Sequence, residues 1–438
     1  MLVNCCSARY YVAMIDIKHL HENLEQHKTN IASRGMHADP ELAIDLDNQR
    51  KEIQQELDGL RRQRNETAAK MKGKLESSER EQLIAEGKRI KEQIPQLESK
   101  ADKIASALQL EMERIPNLAH PQAPLGKEDK DNLQLRTWGE IPEFDFIPKD
   151  HVELGEQLDI IDFETASRVT GSKFYYLKNE AVFLELALIR FALDKLQLQG
   201  FTPTITPDIA KEEIVAGIGF QPRGEESNIY ALEDTGTCLV GTAEITLGGY
   251  YAGKMFSSDE LPIRLAGLSH CFRREAGAAG KFSKGLYRVH QFTKVEMFVY
   301  TTPDKSEAEH NRLCAIEEEI FQALEIPYRV VDTCTGDLGA PAYRKFDLEA
   351  WMPGRGEQGD WGEVTSTSNC TDYQARRLGV RYKNSEGNIE PVHMLNGTAI
   401  AVSRALVALL ENFQQADGSI RIPEKLVPYT GFNKIGPR

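Results

Sequence analysis

HCFRREAGAAGKFSKGLYRVHQFTKVEMF, residues 270–298, is the stretch whose reading decides the fold. Within residues 286–300, Val295, Met297 and Val299 fall on alternate positions, the period of a strand half buried against a core. Near the start of the stretch Arg273 and Glu275 lie two apart, so on a strand both side chains emerge on one face. Downstream, Leu313, Ile316, Ile320 and Leu324 give a helix over 306–325, and YRVVD (328–332) reads as another strand. Upstream, EAVFLELALIRFALDKLQLQ (180–199) is a strongly apolar helix that stops at Gly200, and a last apolar helix is expected near 398–414. Strands without regular βαβ alternation predict an α+β fold with a mostly antiparallel sheet flanked by helices, not a Rossmann sheet. No G-x-x-x-x-G-K-[ST] loop occurs, which excludes a P-loop nucleotide site.

Residues 39–114 differ from the rest, being dense in Glu, Lys, Arg and Gln. Leu46, Ile53, Leu57 and Leu60 step by 7, 4 and 3; Leu83, Ile90, Ile94, Leu97, Ala101, Ile104 and Leu108 step by 7, 4, 3, 4, 3 and 4. That is a heptad seam written twice. KGKLESSERE separates the copies; Gly73 ends one helix and Ser78 is the expected cap of the next, which predicts an antiparallel hairpin. Thirty residues at about 1.5 Å each give an arm roughly 45 Å long, too thin to bury a core of its own. The seam alone suits a spacer or a dimerisation stalk. However, residues 61–74 hold Arg61, Arg62, Arg64, Lys70, Lys72 and Lys74 against Glu66 only, and a basic tip on an acidic arm suits a phosphate backbone.

The chain has 438 residues, 27% charged and 41% apolar, with a net charge of −14, enough for two or three domains. No apolar run approaches the roughly eighteen residues of a membrane span. The seven cysteines (5, 6, 238, 271, 314, 334 and 370) form no C-x-x-C pair, which argues against disulfides and a structural zinc and for a reducing, cytoplasmic setting. An acidic chain that binds nucleic acid must do so through a local basic surface. Residues 1–13 have no apolar stretch for a signal peptide and read as an upstream extension, because Met14 opens a polar helix. Residues 14–115 then form a helical domain carrying the arm, 116–135 a linker with prolines 116, 121 and 124, and 136–438 the larger α+β domain.

Three segments in order, GFTPTITP (200–207), the 270–298 stretch and LNGTAIAVSRALVALLE (395–411), resemble the signature segments of class II aminoacyl-tRNA synthetases. The preceding arm, IPNLAH (115–120), GTAE (241–244), HQFTKVEM (290–297), EVTSTSNCTDYQARR (363–377) and LNGT (395–398) narrow the likeness to the bacterial-type seryl-tRNA synthetase family.

That resemblance implies the site residues. For ATP it points to Arg273 and Arg274, to Glu275 at the adenine amino group, Val289 through its backbone, Phe292 stacking on the base, Glu363, Val364, Thr365 and Ser366, and Arg404 at the γ-phosphate. Arg273, Glu275 and Arg404 are the implied catalytic group, and Glu363 and Ser366 the Mg²⁺ ligands, an oxygen-only set that this ion accepts. For L-serine the implied set is Thr242, Ala243, Glu244, Arg273, Glu296, Asn396 and Thr398. Taken singly, Glu363 reads as a solvated carboxylate, Phe292 as core, Arg404 as a surface arginine, and Glu296 with Lys294 as a salt bridge in a sheet. The implied reaction is activation of serine by ATP to seryl-adenylate, then transfer to the 3′ end of tRNA-Ser, with tRNA-Sec also served. The implied assembly is a homodimer in which the six basic residues of one subunit's arm tip grip tRNA held by the other. Two rivals stand beside it: a ligase charging a carrier protein, against which the complete arm argues, and a catalytically dead coiled-coil interaction protein.

Overall fold

The computed structural model describes residues 15–73, 76–221, 227–276 and 282–437. Lys74 and the 1–13 extension lie outside the described residues. The chain divides into two compact units that meet between Pro116 and Asn117.

The N-terminal unit contains α1 (Ile17–Glu22), α2 (Leu24–Ser33), α3 (Pro40–Lys70) and α4 (Ser77–Arg114). Leu20, Ile31, Ala43, Met112 and Ile115 form the core at its base. Along the arm, Ile53 and Leu57 of α3 meet Ile90, Ile94 and Ile104 of α4, with Leu46, Leu60, Leu97 and Ala101 half buried beside them. The seam is therefore the contact line between two antiparallel helices. Pro40 opens α3, where its missing N–H costs nothing, and the Asp39 side chain accepts from Leu42 N at 2.9 Å. At α4 the expectation of a Ser78 cap fails: the helix already begins at Ser77, and Glu76 caps it without a side-chain hydrogen bond.

The C-terminal unit is built on eight strands: β1 (Leu133–Trp138), β2 (Thr202–Ile205), β3 (Ile263–Phe272), β4 (Gln291–Thr301), β5 (Tyr328–Asp332), β6 (Arg344–Met352), β7 (Asp360–Asn369) and β8 (His393–Ala401). Their spatial order is β1-β5-β6-β7-β8-β4-β3-β2, antiparallel throughout except for the parallel β2–β3 pair at one edge. α5 (Glu180–Leu198), α6 (Ala243–Gly249), α7 (Ser306–Ala323) and α8 (Val402–Asn412) pack on this sheet. Central strand β4 is buried on both faces, not on one as its alternation suggested, because α6 covers the second face. Val295, Met297 and Val299 enter a core with Leu188 of α5, Ile316 of α7 and Leu406 of α8, whereas Phe298 and Tyr300 enter a second core with Ile245 and Leu247 of α6.

Three sequence expectations need correction. The last helix starts at Val402, not near 398, because residues 393–401 pair with both β4 and β7; an apolar run buried on two sides reads alike as strand or helix. The strand expected from 286 starts at Gln291, after a 3₁₀ turn over Gly285–Tyr287. The linker is not a free tether: Asn117 Nδ2 donates to the carbonyls of Pro341 and Cys370 at 2.9 Å each, and β1 begins inside it, at Leu133.

Candidate active site

The registry of β4 against β8 sets Glu296 opposite Thr398, just after an irregularity in the pairing at Val295. Around the Glu296 carboxylate converge Thr242 Oγ1 (3.3 Å), Thr398 Oγ1 (3.4 Å) and the Lys294 ammonium, which forms an ion pair with it. All four residues are buried. Thr242 is held by its own role as the N-cap of α6, its hydroxyl accepting from Glu244 N at 3.2 Å. Glu244 Oε1 accepts from Asn396 Nδ2 at 2.8 Å and from Gln374 Nε2 at 2.7 Å. Ala243 is fully buried, and its methyl side chain offers no polar group to a ligand. The arrangement is a small polar pocket lined by hydroxyl groups and carboxylates, suited to a compact ammonium-bearing alcohol.

Burial, with the Glu296 charge beside it, pushes the Glu244 carboxyl up to about 7 despite its bond from Gln374. A protonated Glu244 is favoured in the fold, so its contribution to stability is present below the ordinary carboxylate range and is lost as pH rises towards 7. Ligand binding runs the opposite way. The KM for an ammonium-bearing substrate should fall as pH rises through about 7, and Glu244→Gln should flatten that segment of the profile. A profile unchanged by the substitution would remove Glu244 from the binding set.

Arg273, Glu275, Val289, Phe292, Glu363, Val364, Thr365 and Arg404 line one cavity beside this pocket, together with Lys294 and Thr398. Arg273 and Glu275 are not on a strand as expected. β3 ends at Phe272; Arg273 N still donates to His290 O at 2.9 Å, but Glu275 turns left-handed with φ 52°. The turn, rather than strand alternation, brings both side chains to the cavity. The Arg273 guanidinium donates from Nε to Gly241 O at 3.1 Å and lies 5.2 Å from the Phe292 ring centre, while Glu275 forms an ion pair with Arg288. Arg274 is exposed and does not line the cavity.

Across the cavity, Arg404 of α8 donates to Glu363 O at 3.0 Å and lies 3.3 Å from Glu363 Oε1; its guanidinium stacks 4.8 Å from the Tyr287 ring centre. Burial raises the Glu363 carboxyl, but the charges of Arg404, Lys345 and Arg273 together hold it below the usual carboxylate range, so it is ionised. Glu363 and Ser366 lie three apart, a spacing that ordinary alternation sends to opposite faces. A bulge at Val364 restores them to one face: Thr365 pairs with Leu348, Glu363 with Glu349 and Ser366 with Asp347. Two hard oxygen donors therefore share one side of β7, although Ser366 does not itself line the cavity. Among the described residues no cluster of three or more His, Cys, Asp or Glu could hold a metal ion.

Sequence reasoning missed several contributors. Lys294, weighed only as a salt-bridge partner, is buried against Glu296 and Thr398, and its spacing of two from Glu296 was the available signal. Tyr287, Arg288 and Gln374 had none, because their roles come from turns and from contacts distant in sequence.

On the arm, Arg64, Lys70 and Lys72 are exposed, Arg62 approaches Glu66 at 4.0 Å, and Arg61 bonds Glu98 across the hairpin at 3.0 Å.

Two family models match the chain: the seryl-tRNA synthetase N-terminal domain over residues 14–119, and the class II tRNA synthetase core domain (G, H, P, S and T) over residues 230–413. The serine–tRNA ligase of Treponema denticola is 61% identical, with 97% of this chain and 100% of that protein covered. That of Rubrobacter xylanophilus is 54% identical over 97% and 99%. Among solved structures, seryl-tRNA synthetase from Pyrococcus horikoshii complexed with ATP superimposes with a TM-score of 0.88 at 41% identity, covering 97% of this chain and 100% of that one. Cytoplasmic serine–tRNA ligase from Naegleria fowleri in complex with AMP gives 0.84 at 32% identity, over 97% and 99%.

Proposed function

The chain belongs to the seryl-tRNA synthetase family, whose reaction is ATP-driven ligation of serine to tRNA, and from that premise we propose how its own residues divide the work. The observation that carries the assignment is the meeting of Arg273, Phe292, Glu363 and Arg404, drawn from three separated segments, in one cavity next to the Thr242–Glu296–Thr398 pocket.

Serine sits with its ammonium towards Glu296 and Glu244 and its hydroxyl towards Thr398 and Glu296. A site built to bond a hydroxyl rejects alanine and glycine, because its buried acceptors are then left unpaired. Lys294 holds the Glu296 carboxylate in place through their ion pair. Arg273 spans the serine carboxylate and the α-phosphate, which a planar fork of donors does in a fixed geometry. Phe292 takes one face of the adenine, Val289 and Glu275 its edge, and Arg404 the terminal phosphates. The serine carboxylate attacks the α-phosphorus and pyrophosphate leaves; the terminal hydroxyl of tRNA then attacks the activated carbonyl, the acyl–phosphate bond breaks and AMP leaves. Neither step needs a protein nucleophile, only alignment and charge neutralisation. Glu363, held ionised, and Ser366 on the same face of β7 suit Mg²⁺, which when bound would add positive charge at the phosphates.

The exposed tip residues Arg62, Arg64, Lys70 and Lys72 hold phosphates of tRNA-Ser, and tRNA-Sec enters by the same contacts. Arg61, joined to Glu98, instead braces the hairpin. Replacing Arg62, Arg64 and Lys72 by Ala should lower tRNA charging about tenfold or more at moderate salt and reduce the salt dependence of binding. Serine-dependent ATP–pyrophosphate exchange should not change. Equal loss in both assays would overturn this separation of roles. Exchange across serine, threonine, alanine and glycine tests the assignment itself, with serine alone expected to support it strongly.

A homodimer in the cytoplasm completes the proposal. Phe183 and Leu186 of α5 are each 57% exposed and Ile205 of edge strand β2 is 82% exposed, an apolar border that a second copy would cover. Sedimentation at micromolar concentration tests it.

A further inference from the structure

The helix that carries Arg404 is fastened two turns further on by a contact with His151, a residue outside the three signature segments. Glu411 of α8 is 1% exposed, and its Oε1 accepts from His151 Nδ1 at 2.7 Å and from His151 N at 3.1 Å. Its Oε2 accepts from Gly354 N at 2.8 Å. His151, also 1% exposed, uses its other ring nitrogen, Nε2, to accept from Leu286 N at 3.1 Å. These bonds fix one form of the ring, neutral with the proton on Nδ1.

Each anchored backbone group is next to a residue that meets Arg404 directly or through the Tyr287 ring. Leu286 precedes Tyr287, whose ring lies under the Arg404 guanidinium and whose carbonyl accepts from Arg404 Nε at 3.4 Å. Gly354 precedes Arg355, which stacks on the same Tyr287 ring at 4.9 Å and on Phe282 at 4.6 Å. The backbone approaches so closely that side chains are excluded. A Cβ on Gly285 would lie 2.1 Å from His151 Nε2, and one on Gly354 would lie 2.5 Å from Asp150 Cβ.

We infer that His151 is a positioning residue of the ATP site: with Glu411 it holds the Gly285–Tyr287 turn and the Gly354 turn, so that Tyr287 and Arg355 fix the direction in which Arg404 meets the triphosphate. The inference rests on the reading of that cavity as the ATP site. The hydrogen-bond partners of His151 are Glu411 and Leu286, which line neither the cavity nor the Glu296 pocket, so its loss should register through the Tyr287 turn in ATP binding and not in serine binding.

The two ring nitrogens can be tested separately. His151→Gln keeps an acceptor near the Nε2 position for Leu286 N, whereas His151→Asn keeps a donor near Nδ1 for Glu411 and abandons Leu286. Full-length variants are compared by ATP–pyrophosphate exchange, measuring KM for ATP and for serine, beside their thermal midpoints. His151→Asn should raise KM for ATP about tenfold, the scale of one lost hydrogen bond, while His151→Gln stays within about twofold. KM for serine should move less than about twofold in both. Glu411→Gln, which cannot accept from His151 and Gly354 together, should repeat the selective rise and serves if the His151 variants fail to fold. Equal KM values for ATP in the Asn and Gln variants, or parallel rises for ATP and serine, would overturn the positioning role. Absence of exchange in the unsubstituted protein would instead overturn the reading of the cavity.

Discussion

Glu296→Ala should abolish serine-dependent ATP–pyrophosphate exchange, with a loss of at least about 10³-fold, and destabilise the protein by about 3–5 kcal/mol. The activity loss follows from removing the one carboxylate to which Thr242, Thr398 and Lys294 all turn. The stability loss has a different origin: the Lys294 ammonium, 5% exposed, is left in the core without its partner. The two effects can be pulled apart. Lys294→Met combined with Glu296→Gln should recover most of the thermal midpoint, because it removes the orphaned charge, yet should not recover exchange. A double variant that activates serine normally would show that the pair is a structural salt bridge and no more.

Arg273→Ala is expected to lower kcat/KM for exchange by about 10²–10³-fold, the scale on which removal of one preorganised donor from a reacting centre is felt. Arg273→Lys should recover only part of this, because a point charge cannot reach a carboxylate and a phosphate at once or stack on Phe292 as a plane does. Single-turnover formation of adenylate separates this effect from later steps. Full activity in the lysine variant would mean that charge alone is required there and that the fork geometry is irrelevant.

The sequence carried those features whose cause is periodicity. The heptad seam, the α5 and α7 helices and the alternation in β4 all follow from apolar residues recurring at the spacing of a buried face. Tertiary circumstances were hidden from it. The run through 395–401 is apolar because β8 is central in the sheet, and burial on two sides erases the difference between a strand and the helix that follows it. Arg273 and Glu275 were correctly paired for the wrong reason: a left-handed turn, not a pleat, directs them together. The cap of α4 also misled, since neither serine of the pair caps the helix, which begins at Ser77 directly after Glu76. His151 and Glu411, 260 residues apart, become neighbours only once the sheet has closed around them.

The extra residue in β7 makes this wall of the cavity depend on counting as well as on composition. Surface loops absorb the gain or loss of one residue with little consequence, but β7 at its present length, paired without the bulge at Val364, would send Glu363 to the side of the strand opposite Ser366 while leaving every residue around it chemically intact. A slip of one residue in the pairing, with the sequence untouched, would thus turn a carboxylate away from the phosphates as completely as replacing it, and protein engineering at this strand must preserve its register before its identity.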